Sequence, residues 1–256
     1  MLPRLHVDIP LTASSDGPDS TLRELNLPAG AARHVQVLRL QPGAALTLFD
    51  GSGFEWQAEV LRMGRSEVTV HLHARQWVHR ELPHAVTLCV VMPANDRMDG
   101  VIEKATELGA AAVQPLMSER SVLRLAGERA DKKQAHWQGV AVAACEQSGR
   151  SVVPRIESVQ TLAQWLHKLP PHDPQQQRRW LLSPTAAKPL RELAQTPAQA
   201  QATSTLVLSG PEGGLSPAEE QSARALGFEA VQLGPRILRA DTAPLAVLGW
   251  LALQSV

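Results

Sequence analysis

The chain has 256 residues, enough for one large domain or two smaller ones with cores of their own. Its 44% hydrophobic content and its balance of 25 basic against 25 acidic residues argue against a strongly basic nucleic-acid coat protein. No apolar run approaches the roughly 20 residues of a membrane span, the opening MLPRLHVDIP lacks the apolar stretch expected of a secretory signal, and two cysteines cannot build a disulfide framework or a four-cysteine zinc site.

Cys89 and Cys145 lie in apolar surroundings and are expected to be buried free thiols in a reducing cytoplasm. Tyrosine is absent and phenylalanine numbers 3, which argues against an RRM-like sheet of stacking aromatics.

Residues 46–50, 54–61 and 66–75 read as strands bounded by the turn signals Asp50-Gly51-Ser52-Gly53 and Met63-Gly64-Arg65-Ser66. In the third, Val68, Val70 and Leu72 alternate with Thr69, His71 and His73, the period of a half-buried strand. Two strand histidines without a third ligand make no metal site, and none is expected elsewhere. Residues 32–40 are more helix-like, and Pro42-Gly43 ends that segment. Short, closely spaced strands of this kind suggest a small barrel or sandwich.

After about Arg75 the pattern changes. Strand 88–93 leads to a helix over 97–108, with Met98, Val101, Ile102, Ala105 and Leu108 at helical spacing and Gly109 as its stop. Strand 111–117 follows, then helices over 131–148 and 158–169, strand 180–183, a helix near 188–194 and strand 206–209. A helix near 216–226, strand 229–233 and a helix from Thr242 complete the series. Alternation of this kind predicts an α/β unit with a mainly parallel sheet. Residues 170–179 and 195–204 read as polar surface loops, and Lys132-Lys133 and Arg178-Arg179 as surface charges.

The chemistry concentrates in two strand–loop–helix segments. In LVLSGPEGGLSPAEE (206–220), glycines let backbone groups approach a ligand closely. Ser216 and Glu219 then have the spacing of a capping box, with Pro217 at the first helical position. In LGPRILRADTA (233–243), Arg236, Arg239 and Asp241 fall within six residues between apolar neighbours. At the C-terminal edge of a parallel sheet such loops cradle ligands. Neither is a Walker A loop or a GxGxxG fingerprint.

These two segments resemble the C-terminal signature of the RsmE family, the ribosomal RNA (uracil-N3)-methyltransferases of the SPOUT superfamily. RHVQVLRL (33–40), DGSGFEWQAEV (50–60), KATELGAAAVQPLMSERSV (104–122) and EQSGRSVVP (146–154) resemble further motifs of that family, in the same order. The resemblance implies a PUA-like β-barrel RNA-binding domain over 1–75 and an α/β SPOUT-type, trefoil-knotted methyltransferase domain over 76–256. It also implies a homodimer that uses S-adenosyl-L-methionine to methylate N3 of a uridine in small-subunit ribosomal RNA; the near-neutral charge favours the RNA within the assembled subunit as substrate. The cofactor would be held by Leu182, Ser183 and Pro184, by Leu208, Ser209, Gly210, Glu212, Gly213 and Gly214, and by Leu233, Gly234, Ile237, Leu238, Arg239 and Thr242. Two departures stand out: the family's usual lysine and glycine before the first catalytic-domain helix read Ala94-Asn95, and its Thr-Glu-Thr-Ala reads Ala240-Asp241-Thr242-Ala243.

Methyl transfer to uracil N3 requires loss of the N3 proton and stabilisation of the resulting anion. Arg239 or Arg236 suits the second task, since a guanidinium stays charged and presents several donors; Glu212 or Asp241 suits the first. RNA contacts are expected from Arg33, His34, Arg39, Lys104, Arg120, Gln147 and Arg150. The competing readings are ribose 2′-O methylation, a non-catalytic RNA-binding or assembly protein, and an anion site at the helix start after Gly214, which Glu212 would disfavour.

Overall fold

The structure, a computed structural model, describes residues 2–11, 23–185, 187–194 and 202–254. The loop expected at 195–204 lies mostly outside them. Its contacts divide the chain into two units, Met1–Glu81 with Cys145–Val153, and Leu82–Ala144 with Pro154–Val256.

The first unit contains β1 (Arg4–His6), β2 (Arg23–Asn26), α1 (Ala29–Val37), β3 (Ala45–Phe49), β4 (Phe54–Met63) and β5 (Val68–Trp77). They form a sheet in the order β1-β3-β4-β5-β2, antiparallel except where β1 runs parallel to β3. The predicted alternation is seen in its core. Leu46 and Leu48, Trp56, Ala58 and Val60, and Val68, Val70 and Leu72 are buried with Ala31, Ala32 and Val35 of α1. The helix expected over 32–40 starts three residues earlier and stops before Arg39, whose φ of 54° leaves the helical region. β1 and β2 were not expected: runs of three and four residues are too short to display a period.

The segment Cys145–Val153 is fastened to this sheet by charge. Glu55 accepts hydrogen bonds from Arg4, from Arg80 (2.6 Å) and from Ser151 Oγ (2.8 Å), and Arg80 also donates to the Gly149 carbonyl. Arg150, expected to contact RNA, is only 3% exposed; its guanidinium pairs with Glu81, through Nε at 3.0 Å and through Nη2. That expectation is corrected, because a buried, paired guanidinium presents nothing to a ligand.

Burial acts to raise the Glu55 pKa, but the hydrogen bonds from Ser151 and Arg4, the Arg4 charge and the Arg80 bond outweigh it and hold the carboxyl below its usual range. A carboxyl with a depressed folded pKa contributes stability above its unfolded pKa, and that contribution is lost as pH falls through the folded value. Glu55→Gln is therefore expected to cost about 1–3 kcal/mol at pH 7 and to make the loss of stability on acidification shallower. Urea unfolding at several pH values measures both; an unchanged acid limb would show that this ion cluster is not what fastens the segment.

The second unit contains β6 (Ala85–Val91), α2 (Arg97–Glu107), β7 (Ala112–Met117), α3 (Gly127–Ser148, whose last turn counts with the first unit), β8 (Arg155–Ile156), β9 (Gln160–Thr161) and α4 (Leu162–Lys168). There follow β10 (Gln177–Leu182), β11 (Lys188–Pro189), α5 (Leu190–Ala194), β12 (Ser204–Ser209), α6 (Pro217–Ala225), β13 (Glu229–Gln232) and α7 (Thr242–Leu253). The sheet is parallel throughout, in the order β11-β13-β10-β12-β6-β7-β8, with β9 beside β7. Its inner strands are apolar in succession, as burial on both faces requires: Val86 and Leu88–Val91 in β6, and Leu206–Leu208 in β12, are buried. After β13, near one edge, the chain returns through residues 233–241 so that α7 packs on β12 and β6. Cys89 and Cys145 are free and buried; burial pushes the Cys145 thiol up to about 12 and Cys89 higher still, so neither is a nucleophile.

Three local expectations need correction. The helix expected from Ser158 begins at Leu162, because Thr161 and Gln164 form a capping box there while Gln160 and Thr161 pair with β7. The expected helix at 188–194 opens as the short strand β11. The loop at 170–179 gives way to β10 at Gln177, and its two arginines are not surface charges. Arg179 is 2% exposed and donates to Gln177 Oε1 (2.8 Å) and to the carbonyls of Leu226 and Pro170 (both 2.9 Å). Arg178 lies near the Trp180 ring, 5.8 Å from its centroid.

Candidate active site

The strands β10, β12 and β13 end side by side, and the loops that leave their C-terminal ends enclose a cavity of about 390 Å³. It is lined by residues from 182–184, 209–215 and 231–240, together with Glu220 and Ala243. Three segments far apart in sequence thus meet because parallel strands deliver their following loops to the same edge. A volume of this order suits a nucleoside-sized ligand.

The middle loop is shaped by its own backbone. A Cβ placed on Gly210 would lie 3.0 Å from the Leu215 nitrogen and 3.2 Å from the Gly214 carbonyl carbon, so glycine there permits a close fold-back. Gly214 has φ of 67° and donates to the Pro211 carbonyl at 2.8 Å. α6 then starts with the predicted capping box: Ser216 Oγ accepts from the Glu219 N–H at 3.2 Å, and Glu219 accepts from the Ser216 N–H at 2.9 Å. The other Glu219 oxygen accepts from the Glu119 N–H at 2.8 Å.

Two further residues fix this loop, and their role was not legible in the sequence. Arg120 donates to the carbonyls of Gly213 (2.8 Å) and Leu215 (3.2 Å), so this expected RNA contact holds the loop. The Glu212 carboxylate accepts from the Ala94 N–H through both oxygens, at 3.1 and 3.3 Å, and lies 3.5 Å from Arg97. Beside it, Asn95 adopts φ of 62°. That conformation favours glycine and tolerates asparagine better than most residues, which accounts for asparagine standing where the family usually has glycine.

The cavity brings together most of the predicted cofactor residues: Leu182, Ser183, Pro184, Ser209, Gly210, Glu212, Gly214, Leu233, Gly234, Ile237, Leu238 and Arg239. Arg236 lines it as well. Leu208, Gly213 and Thr242 are not in its lining: Leu208 is fully buried in the sheet core, Gly213 faces Arg120, and Thr242 lines a separate groove. Asp241 lines that same groove, with Asp96, Arg97, Gly100, Lys104 and the first turns of α7. The residues Pro211, Leu215, Glu220, Val231, Gln232, Pro235, Ala240 and Ala243 complete the cavity wall without having been predicted. Buried Ser209 Oγ, in the lining, has no hydrogen-bond partner among the described residues. A buried hydroxyl beside a cavity and without a partner suits a polar ligand atom.

Of the remaining expected RNA contacts, Arg33, Arg39 and Gln147 are exposed in the first unit, and His34 lies 3.5 Å from Glu146. Lys104 is exposed and paired with Glu103 and Glu107.

Residues 80–252 match the family described as RNA methyltransferase domain, and 27–72 match the RNA methyltransferase PUA domain. The chain is 32% identical over 225 residues to the ribosomal RNA small subunit methyltransferase E of Bacillus subtilis, covering 86% of each. It is 34% identical over 217 residues to that of Synechocystis, covering 83% of this chain and 67% of the relative. The crystal structure of a ribosomal RNA small subunit methyltransferase E from Neisseria gonorrhoeae, bound to S-adenosyl methionine, superposes with a TM-score of 0.86 at 32% identity, over 99% of this chain and 98% of that one. An all-parallel α/β sheet with its cavity between three strand-end loops, a PUA-like unit before it and identity at this level along most of both chains place this protein in the ribosomal RNA small subunit methyltransferase E family.

Proposed function

We propose that this protein transfers a methyl group from S-adenosylmethionine to N3 of a uridine in small-subunit ribosomal RNA, in the cytoplasm, acting as a homodimer on the assembled subunit. The observation that carries the reading is the cavity itself, with two arginines, Arg236 and Arg239, and two carboxylates, Glu212 and Glu220, in its wall. Family membership supports the reaction class, and the cofactor bound by the Neisseria relative supports the identity of the donor.

The donor supplies a methyl group on a sulfonium, which leaves without metal or covalent help from the protein. Leu182, Leu233 and Leu238 offer the apolar walls that would hold it, and Ser209 Oγ and the backbone around Gly210 and Gly234 the polar contacts. Alignment and exclusion of water then contribute up to about 7–11 kcal/mol in an ideal geometry. At the acceptor, the N3–H bond breaks and its proton passes to a carboxylate. Glu212 is the predicted candidate that lines the cavity, whereas Asp241 lines the other groove. Arg239 would stabilise the uracil anion, with its charge on O2 and O4, and N3 would take the methyl carbon as the carbon–sulfonium bond breaks, the sulfur leaving with the electron pair as a neutral thioether.

The homodimer rests on family membership, and α7 is the face assigned to it. Val247, Leu248 and Leu251 are buried, yet Leu253 on the same apolar helix is 77% exposed. A second copy covering this helix removes that surface from water; sedimentation is expected to give about twice the 27.7 kDa chain mass, and a monomeric mass would refute it.

The test is methyl transfer from labelled S-adenosylmethionine to small ribosomal subunits from cells lacking this protein, followed by chromatography of the digested nucleosides. Label in N3-methyluridine is the expected result. Label in a 2′-O-methyl nucleoside would keep cofactor and fold but replace the chemistry. Failure to bind the cofactor at all would favour a non-catalytic RNA-binding role.

A further inference from the structure

The first unit carries an aromatic and cationic patch that the transfer reaction does not use. Trp77, at the end of β5, is 49% exposed, the single aromatic among the exposed large hydrophobic side chains of the described residues. Its register partner on β4 is Phe54, and the two rings meet edge to face with centroids 4.8 Å apart. Two residues back, on the same face of β5, the guanidinium of Arg75 lies 4.5 Å from the Phe54 ring centroid and 5.7 Å from that of Trp56. Arg75 is exposed and has no carboxylate partner among the described residues. His79 and Arg80 follow, both exposed; the Trp77 indole N–H donates to His79 Nδ1 at 3.2 Å.

The platform is fixed in place. A Cβ on Gly53 would fall 2.7 Å from the Trp77 ring, so that ring lies directly on the glycine of the β3–β4 turn. The Val78 N–H donates to the Gly53 carbonyl at 3.2 Å, which ties the strand end to the turn. A rigid ring loses little freedom when a ligand is added. The neighbouring carboxylate, Glu55, is already neutralised by Arg4 and Arg80.

An exposed, immobilised indole beside an unpaired guanidinium fits a partner that is flat, apolar on its faces and anionic along its backbone. We propose that Trp77 stacks an unpaired nucleobase of the RNA substrate, with Arg75 taking the adjoining phosphate. The inference rests on the reading of the substrate as RNA and adds to it a positioning surface outside the cavity. Sequence composition argued against a sheet of stacking aromatics; one tryptophan with one arginine is a smaller device that composition does not reveal.

The test is filter binding of small ribosomal subunits from cells lacking this protein to the whole protein, comparing wild type with Trp77→Ala, Trp77→Phe and Arg75→Gln. Alanine at 77 is expected to weaken binding about 5- to 100-fold, the range for loss of one base-stacking aromatic, while phenylalanine retains most of the affinity. Arg75→Gln is expected to weaken binding and to flatten its dependence on salt. Affinity for S-adenosylmethionine should be unchanged in all three, which separates a positioning role from misfolding. Equal RNA affinity for wild type and Trp77→Ala overturns the proposal. So does a Trp77→Ala protein that keeps its RNA affinity but changes its sedimenting mass, since the patch would then be a contact between copies. Wild-type protein that binds RNA through Trp77 yet yields no methylated nucleoside leaves the stacking intact and overturns the reaction instead.

Discussion

Gly210→Ala is expected to weaken binding of S-adenosylmethionine tenfold to a hundredfold while leaving the fold intact. The added Cβ meets backbone, the Leu215 nitrogen at 3.0 Å and the Gly214 carbonyl carbon and Cα at 3.2 and 3.3 Å, and backbone does not swing aside as a side-chain tip does. Relief comes only by opening the 210–215 turn, which Arg120 and the capping box at Ser216 hold from outside. A misplacement of about 1 Å in positioning groups costs on the order of a hundredfold, and a smaller shift correspondingly less. Gly214 provides the control. Its φ of 67° is the reason for glycine there, and nothing lies within 4 Å of its Cβ position. Asparagine tolerates that conformation, so Gly214→Asn should keep the turn, and any loss of binding it shows reports a side chain in the cavity rather than a shifted backbone. Calorimetric titration of both variants measures the contrast; equal, unimpaired binding would mean that this turn does not cradle the cofactor.

Features written in short stretches of sequence were legible. The capping box at Ser216 and Glu219 needs only four residues, and the alternation over 68–72 needs only a strand's own pleat. The three cavity loops were found through their resemblance to a family, and glycines within them carried the local part of that signal. What escaped was set by distant partners. Nothing near Arg178-Arg179 foretells that the carbonyls of Pro170 and Leu226 will need a buried donor. Nor does EQSGRS reveal that its arginine will pair with Glu81 rather than face a ligand. Glu212 looked like a free acid in a glycine loop, but the Ala94 N–H, over a hundred residues away in sequence, donates to both of its oxygens and fixes the carboxylate while leaving each oxygen a lone pair for a proton. Charged residues are assigned roles by what surrounds them, and surroundings are the part of a fold that periodicity does not encode.

Arg239→Ala is expected to lower kcat for RNA methylation by about 10²- to 10³-fold at neutral pH, the cost of removing one preorganised donor from a developing oxyanion. Arg239 and Arg236 both line the cavity and both are exposed, so lining alone does not choose between them. Backbone anchoring does. The Arg239 carbonyl accepts from the N–H groups of Thr242 and Ala243, both at 3.0 Å, which fixes residue 239 to the start of α7; Arg236 sits in the middle of the loop span. A donor on a fixed backbone loses less freedom in the transition state, so we propose Arg239 for the uracil anion and Arg236 for holding the RNA. The two assignments separate kinetically. Arg236→Ala should raise KM for RNA with little change in kcat, whereas Arg239→Ala should lower kcat with cofactor affinity retained. pH gives a second, independent sign. If Arg239 makes N3 deprotonation easier, its loss is felt most where N3 is protonated, and the variant should recover toward wild type as rising pH removes the proton unaided. A deficit in Arg239→Ala that stays constant with pH would instead assign this arginine to the shape of the loop.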